Sequence, residues 1–304
     1  MINKIKDFFI KNGIETDEAK AEAHFLVCEV SGLPIEKIIT GEKIQNENEI
    51  WALAEKRIET GAPIQHITGF SYFMGDKFIV NSDVLIPRPE TEILVQQALK
   101  LAREKALQNG ELRILDIGTG TGCIAIEIAK NLPDISCVDK TVVEKSLSLE
   151  VLGVDISTSA LHIAIKNMEA LNQQRRVVFR KSDIFSSVYE DEKFDIIVSN
   201  PPYIPIQFKD TLQNEVKNFD PPQALFANDK DGIEFYNRIL EGAKKYLKPN
   251  GYVIFELGCT EGMMQSKKVT EIARKFDYTL EFIEKDLEGT DRVIAFTACS
   301  GTKI

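Results

Sequence analysis

The sequence lacks several features that mark special classes of protein. Its 304 residues contain no run of about 18 apolar residues, and the start MINKIKDFFIKNG has no long apolar core, so neither a membrane span nor a secretory signal is expected. The five cysteines are scattered, odd in number and without a C-x-x-C pair, which disfavours disulfides and a zinc site. We therefore expect a cytoplasmic protein with no metal centre and no membrane contact.

Positive charge is also scarce, since 37 lysine and arginine residues face 47 acidic ones and the net charge is −10. The long-range field of such a chain repels a nucleic-acid backbone. The local cluster of Arg175, Arg176, Arg180 and Lys181 is more typical of a solvated face. With 43% hydrophobic and 28% charged residues, the composition indicates an ordinary globular protein with no direct nucleic-acid partner.

The length predicts about two structural units. Residues 1–70 are expected to form a small helical domain, because apolar residues recur at helical spacing and TDEAKAEAHFLVCEVSG has an acidic first turn and a closing glycine. The alternation in YFMGDKFIV predicts a β-hairpin around Gly75-Asp76, assigned to a linker over residues 71–88. Residues 89–304 follow as the main domain, with Pro89 suited to the first position of a helix.

From Arg113 onward, short apolar strands alternate with amphipathic helices. The predicted strands are RILDIG, SLEVLGVD, RVVF, FDIIVSN, YVIFELG, TLEFIEKD and DRVIAFTA. This alternation is typical of an α/β fold with a doubly wound, mainly parallel sheet. Only LEGT separates the last two strands, so they should form an antiparallel hairpin. The stretch at residues 133–146, inside an unusually long crossover, is predicted to be a surface insertion.

A glycine-rich loop follows the first of these strands in LDIGTGTGCIAIEIA. Gly118, Gly120 and Gly122 allow positive φ and let a ligand approach the main chain, so the loop predicts a nucleotide-type site. The dinucleotide pattern G-x-G-x-x-G/A fails because its last position is Cys123. That failure disfavours a nicotinamide dehydrogenase.

Acidic and aromatic side chains follow the next two strands. Asp155 ends the second strand in GVDIS, where a carboxylate can accept both hydroxyls of a ribose. After the third strand, in KSDIF, Asp183 could accept from an adenine amino group and Phe185 could cover the ring. Since open α/β sheets bind ligands at the carboxyl ends of parallel strands, we expect these residues to line one cofactor site.

The fourth strand ends in the corner FDIIVSNPPYI. Neither Pro201 nor Pro202 has a backbone N–H, so the corner offers acceptors without competing donors, namely the side-chain oxygen of Asn200 and a nearby carbonyl. Two acceptors can hold both N–H bonds of a primary amide or an exocyclic amine and orient its nitrogen towards an electrophilic methyl group. Tyr203 is predicted to provide a flat face for the planar group.

The motifs LDIGTGTG, GVDIS, FDIIVSNPPYI and LIPRPETE together resemble the protein-(glutamine-N5) methyltransferases that modify peptide-chain release factors. The resemblance covers nearly the whole chain, including GAPIQHITG, DGIEFYNRIL and KDLEGTDRVI. It implies a seven-stranded Rossmann-like methyltransferase sheet with S-adenosylmethionine as cofactor. The implied substrate is the glutamine in the Gly-Gly-Gln loop of class 1 release factors, and the N-terminal helices would contact the release factor away from that loop.

The resemblance also implies roles for individual residues. The catalytic residues would be Asn200, Pro201 and Tyr203, and these would bind the substrate glutamine together with Pro202. The predicted cofactor site comprises Gly118, Thr119, Gly120, Thr121, Gly122, Asp155, Asp183, Phe185 and Asn200. Departures from the family pattern are Asp220 where a glutamate is expected, the absence of a glutamine in ELGCTEG, and the insertion at 133–146.

Three other functions fit parts of the sequence less well. N6-adenine methylation of DNA would use the same corner, but it predicts a basic groove and a target-recognition domain, for which the chain has no spare span. A non-catalytic cofactor-binding scaffold gives no reason for Asn200 and Tyr203 to stand together. A dehydrogenase lacks a proton-relay group, because His24, His66 and His162 lie outside the predicted crevice loops. We expect a monomer whose partners are class 1 release factors.

Overall fold

The computed structural model describes residues 1–109, 111–132, 148–258 and 265–298. These residues form two compact units. One unit comprises Met1–Phe70 and Gln213–Phe219, and the other comprises Ser71–Leu212 with the described residues from Asp220 onward. The predicted insertion at 133–146 lies outside the described residues.

The elements follow one another in an order that is helical at first and alternates between strand and helix later. In chain order they are α1 (Ile2–Lys11), α2 (Thr16–Ser31), α3 (Ile35–Ile39), α4 (Glu47–Thr60), α5 (Ile64–Thr68), β1 (Phe70–Phe73), β2 (Asp76–Ile79), α6 (Pro89–Asn109), β3 (Glu111–Ile117), α7 (Cys123–Asn131), β4 (Ser148–Asp155), α8 (Thr158–Ala170), β5 (Val177–Lys181), β6 (Phe194–Ser199), β7 (Ile204–Pro205), a 3-10 helix (Ile206–Thr211), α9 (Asn214–Phe219), α10 (Pro222–Leu225), β8 (Phe226–Ala227), α11 (Glu234–Ala243), β9 (Leu247–Glu256), α12 (Gln265–Lys275), β10 (Tyr278–Lys285) and β11 (Asp291–Ala298). No helix in these described segments combines the length and apolarity that a bilayer span requires.

The first unit packs its helices around a small apolar core. The carboxylate of Glu15 caps α2 by accepting from the N–H of Asp17 at 2.8 Å, and Gly32 ends the helix in the left-handed conformation at φ +66°. Both ends are of the kind that the acidic first turn and closing glycine predict. The fully buried core side chains include Ile5, Phe9, Leu26, Val27 and Ile50.

Arg57 on α4 is the centre of a buried ion-pair cluster within this unit. Its guanidinium donates to Glu22 at 3.0 Å, to Glu18 at 3.4 Å and to Glu215 on α9. Burial raises the pKa of Glu22 to about 7, against the opposing effect of the hydrogen bond from Arg57. The three carboxylates lie close enough together to hold a cation, but Arg57 already supplies the positive charge. The cluster therefore ties α9 to the N-terminal helices.

The second unit is built on a seven-stranded sheet with the order β10-β11-β9-β6-β3-β4-β5. Strands β3, β4, β5, β6 and β9 run parallel, whereas β11 is antiparallel to both β9 and β10. The doubly wound α/β fold with an antiparallel last hairpin is thereby confirmed. The strand order reverses at β3, which pairs with β4 on one side and with β6 on the other, so a crevice opens at the carboxyl ends of β3 and β6.

Helices cover both faces of this sheet and divide its core into two clusters. Successive residues of a strand point to opposite faces, so Ile114 of β3 joins the cluster beneath α6 and α7 while Leu115 joins the cluster beneath α11 and α12. Ile196 and Ile197 of β6 are divided in the same way. Because both faces are covered, these strands are apolar throughout.

The β1–β2 hairpin forms as predicted, with its turn one residue earlier. Met74 and Gly75 occupy the two central positions with φ of +51° and +87°, which is the two-residue turn that matches the twist of the strands. Phe73 and Phe78 meet edge to face with ring centroids 6.0 Å apart and both belong to the cluster beneath α6 and α7.

Candidate functional site

A cavity of about 520 Å³ opens in the second unit. Its walls come from the loops that follow β3, β4, β5 and β6, from the start of α6 and from the segment around α10. This is the place at which the reversal of strand order favours ligand binding. The predicted site residues that line the cavity are Gly118, Thr119, Gly120, Thr121, Asp155, Asp183, Asn200, Pro201 and Pro202.

The glycine loop after β3 is held in shape by main-chain hydrogen bonds. The N–H groups of Gly118 and Thr119 donate to the carbonyl of Val154 at 2.9 and 3.0 Å. Gly118 and Gly120 have φ of +74° and +54°, which residues with a Cβ rarely adopt. A methyl group added at Gly118 would lie 3.9 Å from the carbonyl oxygen of Asn200, and one at Gly120 would meet no described atom within 4 Å. The loop therefore leaves room for a ligand against its main chain.

Gly122 serves packing rather than the cavity wall. Its φ is +81°, and an added Cβ would lie 2.8 Å from the ring of Phe179 and 3.1 Å from both Ala164 and Ile126. The missing side chain lets α7 and α8 pack closely on the sheet. The sequence predicts a cofactor contact for Gly122, but the structure places this residue between the helices and the sheet and not on the cavity wall.

Two carboxylates stand beside the loop. Asp155 accepts from the N–H of Gly120 at 2.9 Å and from the N–H of Ser157 at 2.8 Å, and each oxygen retains a lone pair for a ligand. Burial raises the pKa of Asp155. Asp116 is fully buried and accepts from the Thr119 hydroxyl at 2.5 Å through Oδ2, while its Oδ1 has no partner among the described residues.

Asp116 was not singled out by sequence reasoning, although a charged residue inside the apolar run RILDIG is a signal. Burial raises its pKa to about 7, against the hydrogen bond from Thr119. A buried carboxyl in this state is stabilised as the anion by a nearby positive charge. Asp116 itself does not line the cavity, whereas its hydrogen-bond partner Thr119 does.

The loop after β5 differs from the prediction. Asp183 lines the cavity, but its carboxylate accepts from Nη2 of Arg238 at 2.9 Å with both oxygens. Ile184, at φ +51°, lines the cavity next to it. Phe185 turns away and stacks on Tyr246 with ring centroids 4.8 Å apart. The predicted cover of an adenine ring by Phe185 is not seen, because the left-handed turn at Ile184 directs the next ring into the core.

Asn200 stands where β6 meets the cavity. Its Nδ2 donates to Oγ1 of Thr91 at 3.3 Å, and the carboxylate of Glu256 also hydrogen-bonds with the side chains of Thr91 and Asn200. The two donors of the amide thus face buried acceptors. The sequence predicts that the side-chain oxygen of Asn200 is the acceptor that the corner offers to a substrate.

Tyr203 does not line the cavity. Its ring packs on Gly258, where an added methyl group would lie 2.3 Å from Cδ2, and its carbonyl accepts from Nε2 of Gln265 at 3.0 Å. Oε1 of Gln265 accepts from the N–H of Gly258 at 2.9 Å. The predicted flat face for a planar substrate is therefore absent here, and Tyr203 instead fixes the corner to the end of β9. The segment ELGCTEG lacks the glutamine that the family pattern predicts, but Gln265 from the start of α12 contacts Gly258.

An ion pair closes one wall of the cavity. Nη2 of Arg88, in LIPRPETE, lies 2.7 Å from Oδ2 of the buried Asp220. Arg88 lines the cavity, as do Pro221 and Pro222 directly after Asp220. The aspartate that stands where a glutamate is expected therefore still reaches a basic partner, and it joins the start of α6 to the segment around α10.

All three histidines belong to the described residues, and none of them lines the cavity. The described cysteines, Cys28 and Cys123, are free thiols. Burial raises the pKa of Cys123 to about 12, so this residue behaves as a buried apolar group rather than a nucleophile.

Comparisons with known proteins match the chain to methyltransferases. A family model described as a methyltransferase domain matches residues 108–291. A release factor glutamine methyltransferase from Thermodesulfovibrio yellowstonii is 38% identical over 90% of this chain and 90% of its own length. Another, from Fusobacterium nucleatum, is 36% identical over 97% of this chain and 77% of its own length. The solved protein-(glutamine-N5) methyltransferase (release factor-specific) from Alicyclobacillus acidocaldarius is 29% identical, covers 72% of this chain and 98% of its own, and has a TM-score of 0.38.

Proposed function

The chain belongs to the release factor glutamine methyltransferases, and from this membership we propose that it methylates the side-chain nitrogen N5 of the glutamine in the Gly-Gly-Gln loop of class 1 release factors. The observation that carries the proposal is the place of Asn200 on the wall of a cavity that it shares with the glycine loop. The relatives are named release factor glutamine methyltransferases. This favours a protein glutamine over the adenine of DNA that the same corner could hold.

S-adenosylmethionine is the methyl donor, and the residues around the glycine loop fit it. Gly118 and Gly120 leave space against the main chain, and Asp155 keeps lone pairs that suit the hydroxyls of a ribose. The buried Asp116 supports the loop from behind by accepting from the hydroxyl of Thr119 at 2.5 Å. When bound, this cofactor supplies an electrophilic methyl group.

The residues of the corner act on the substrate amide. Oδ1 of Asn200 and a main-chain carbonyl of the corner accept its two N–H bonds, and neither Pro201 nor Pro202 competes with a backbone donor. Holding both N–H bonds directs the nitrogen lone pair in one direction, which is catalysis by orientation. The bond from this nitrogen to the methyl group would form as the bond between that group and the donor sulfur breaks. The nitrogen would then release one of its two protons to solvent, past the acceptors that hold it.

We also propose that the first unit recognises the release factor away from the reacting loop. The unit has its own core, and none of the cavity-lining residues belongs to it. The surface of the first unit is therefore not required for methyl transfer in the cavity and is available to bind the release factor.

Substitution of Asn200 tests the proposal. In a radiolabel assay with S-adenosylmethionine and intact release factor, Asn200→Ala should lower kcat by a factor of about 10² or more, the size of losing one oriented hydrogen-bonding group. Binding of the cofactor, measured by calorimetry, should weaken by a much smaller factor than kcat falls. Asn237→Ala, an exposed asparagine on α11 that does not line the cavity, is the matched control and should keep full activity. An Asn200→Ala protein with wild-type kcat would reject the role of the corner.

A further inference from the structure

We propose that Glu256 and Thr91 are positioning residues that hold the side-chain amide of Asn200 with its oxygen towards the substrate. The inference rests on the proposed function of Asn200 and adds to it, because neither residue belongs to the Asn-Pro-Pro-Tyr corner. Glu256 lies at the end of β9, the strand beside β6, and Thr91 lies in the first turn of α6.

An asparagine side chain has two orientations of nearly equal shape. With its oxygen towards the cavity it accepts an N–H from the substrate amide, and with its nitrogen there it presents a donor to another donor. Only the first orientation can hold the substrate. The protein therefore needs neighbours that distinguish the two ends of the Asn200 amide.

Thr91, which also lines the cavity, and Glu256, which does not, make this distinction. Thr91 is 4% exposed, and its Oγ1 accepts from Nδ2 of Asn200 at 3.3 Å. Glu256 is 2% exposed, and its carboxylate hydrogen-bonds with the side chains of Thr91 and Asn200. An ionised carboxylate can only accept. Two acceptors for the two N–H bonds of Asn200 leave Oδ1 facing the cavity.

The surroundings of Glu256 show that this carboxylate is not placed there for stability. Its Oε2 has no hydrogen-bond partner in the described part of the chain, and leaving a charged oxygen buried in this way is unfavourable. Burial raises the pKa of Glu256 to about 7. A residue that costs stability at the end of an apolar strand is expected where function requires it.

Charged and titratable groups face Glu256 from each neighbouring element. Glu90 on α6 raises its pKa further, whereas Arg292 on β11 lowers it. Tyr203 lies close enough for the charge of Glu256 to act on its phenol, and the hydroxyl of Tyr236 on α11 donates to the main-chain oxygen of Glu256 at 2.8 Å. Among the described side chains named in this paragraph, Glu256 is the one that hydrogen-bonds with Asn200.

Protonation of Glu256 should weaken its hold on Asn200. A protonated carboxyl becomes a donor, and it can then bond Oδ1 of Asn200 and stabilise the reversed amide. The wild-type rate should therefore fall as the pH decreases through the range in which Glu256 takes up its proton. The part of this acid limb that Glu256 causes should vanish when the residue cannot titrate.

The variant Glu256→Gln tests the proposal. Glutamine keeps the size but can offer either an oxygen or an NH2 group to Asn200, so kcat should fall about tenfold or more, the size of one misdirected hydrogen bond, with KM for S-adenosylmethionine unchanged. The pH–rate profile should lose its acid limb. The melting temperature should not fall, which separates positioning from a structural role. Glu90→Gln, a neighbouring carboxylate without a bond to Asn200, should keep the limb.

Thr91 provides an independent arm. Thr91→Val removes the hydroxyl at nearly constant volume and should lower kcat, whereas Thr91→Ser should restore it. The side-chain NH2 resonances of Asn200, followed by NMR in the protein alone, should titrate in the wild type and not in Glu256→Gln. A Glu256→Gln protein with wild-type kcat and an intact acid limb, or invariant Asn200 resonances in the wild type, would overturn the inference. Failure of the wild type to methylate release factor would instead reject the proposed function.

Discussion

Asp155 holds the glycine loop through the N–H of Gly120 and its own helix entry through the N–H of Ser157. We predict that Asp155→Ala weakens binding of S-adenosylmethionine by about 10- to 100-fold, because hydrogen bonds to a charged group contribute about 1.5–3 kcal/mol. Isothermal titration calorimetry measures this directly.

Asp183→Ala is the control for this prediction. Its carboxylate is already paired with Arg238 and is 48% exposed, so its loss should change cofactor affinity far less than the loss of Asp155. Equal effects of the two substitutions would contradict the assignment of Asp155 as the carboxylate that organises the loop.

Single residues were predictable where a strand end alone fixes their position. The structure places Gly118, Asp155 and Asn200 on the cavity wall, because each directly follows an apolar run that had to be a strand. The rings of Phe185 and Tyr203 were not predictable in this way. Their directions depend on a left-handed turn at Ile184 and on the missing side chain at Gly258, neither of which has a sequence pattern.

At the scale of an element, the glycine loop and the helix after it make different demands on their glycines. Gly120→Ala should cost about 1–2 kcal/mol of unfolding free energy from left-handed backbone alone. Gly122→Ala should cost roughly 1–3 kcal/mol more, because its Cβ would also press on Phe179. Urea unfolding of both variants measures the difference.

The order of the two variants Gly120→Ala and Gly122→Ala should be reversed when the loss of cofactor affinity is measured instead of the loss of stability. Gly120 lines the cavity, whereas Gly122 does not, so Gly120→Ala should lose affinity for S-adenosylmethionine out of proportion to its lost stability. Equal destabilisation by the two alanines would show that the contact with Phe179 relaxes without cost.

The helix α9 is held in the first unit by an ion pair. Arg57→Met should destabilise that unit by about 3–5 kcal/mol, because it leaves Glu22 as a buried charge without its partner. The double variant Arg57→Met with Glu22→Gln should recover most of the loss. Thermal unfolding followed by circular dichroism checks both, and a double variant no more stable than the single one would contradict the assignment.

Helices and strands could be predicted from the sequence where the spacing of apolar residues distinguishes one from the other. Each of the seven predicted strands is present, and SLEVLGVD and DRVIAFTA coincide with β4 and β11. The membership of α9 in the first unit could not be predicted, because NEVKNF has no distinctive pattern. Its link to Arg57 joins residues 158 positions apart in the sequence.

At the scale of the whole molecule, buried carboxyls should govern how stability varies with pH. Burial raises the pKa of Asp116 and of Glu256 to about 7 from ordinary values of 3.8 and 4.5. A raised folded pKa means that the native state holds more protons than the unfolded state between those values. The free energy of unfolding should therefore decrease as the pH rises from about 5 to about 7.

Glu256→Gln isolates one of these groups. It should flatten the dependence by an amount on the order of 1–3 kcal/mol between about pH 5 and pH 8, and it should be more stable than the wild type at the upper end. Urea unfolding at both pH values tests this. A variant that keeps the wild-type slope would show that Glu256 stays ionised throughout.

The fold class followed from the order of strands and helices, which needs no knowledge of any site. The sequence predicts a helical unit over residues 1–70, but only the structure shows that segment 213–219 belongs with it. The net charge of −10 favours a protein partner over a nucleic acid, because the long-range field of an acidic protein repels a nucleic-acid backbone.

The most direct test of the proposed function is to locate the methyl group on its substrate. Intact class 1 release factor is incubated with this protein and S-adenosylmethionine, digested, and sequenced by tandem mass spectrometry. We predict the mass of one methyl group on the side chain of the glutamine in Gly-Gly-Gln, and far less of this product after the same incubation time when Asn200→Ala replaces the wild type. A protein that binds S-adenosylmethionine but leaves that glutamine unmodified, or modifies a different residue, would contradict the proposal.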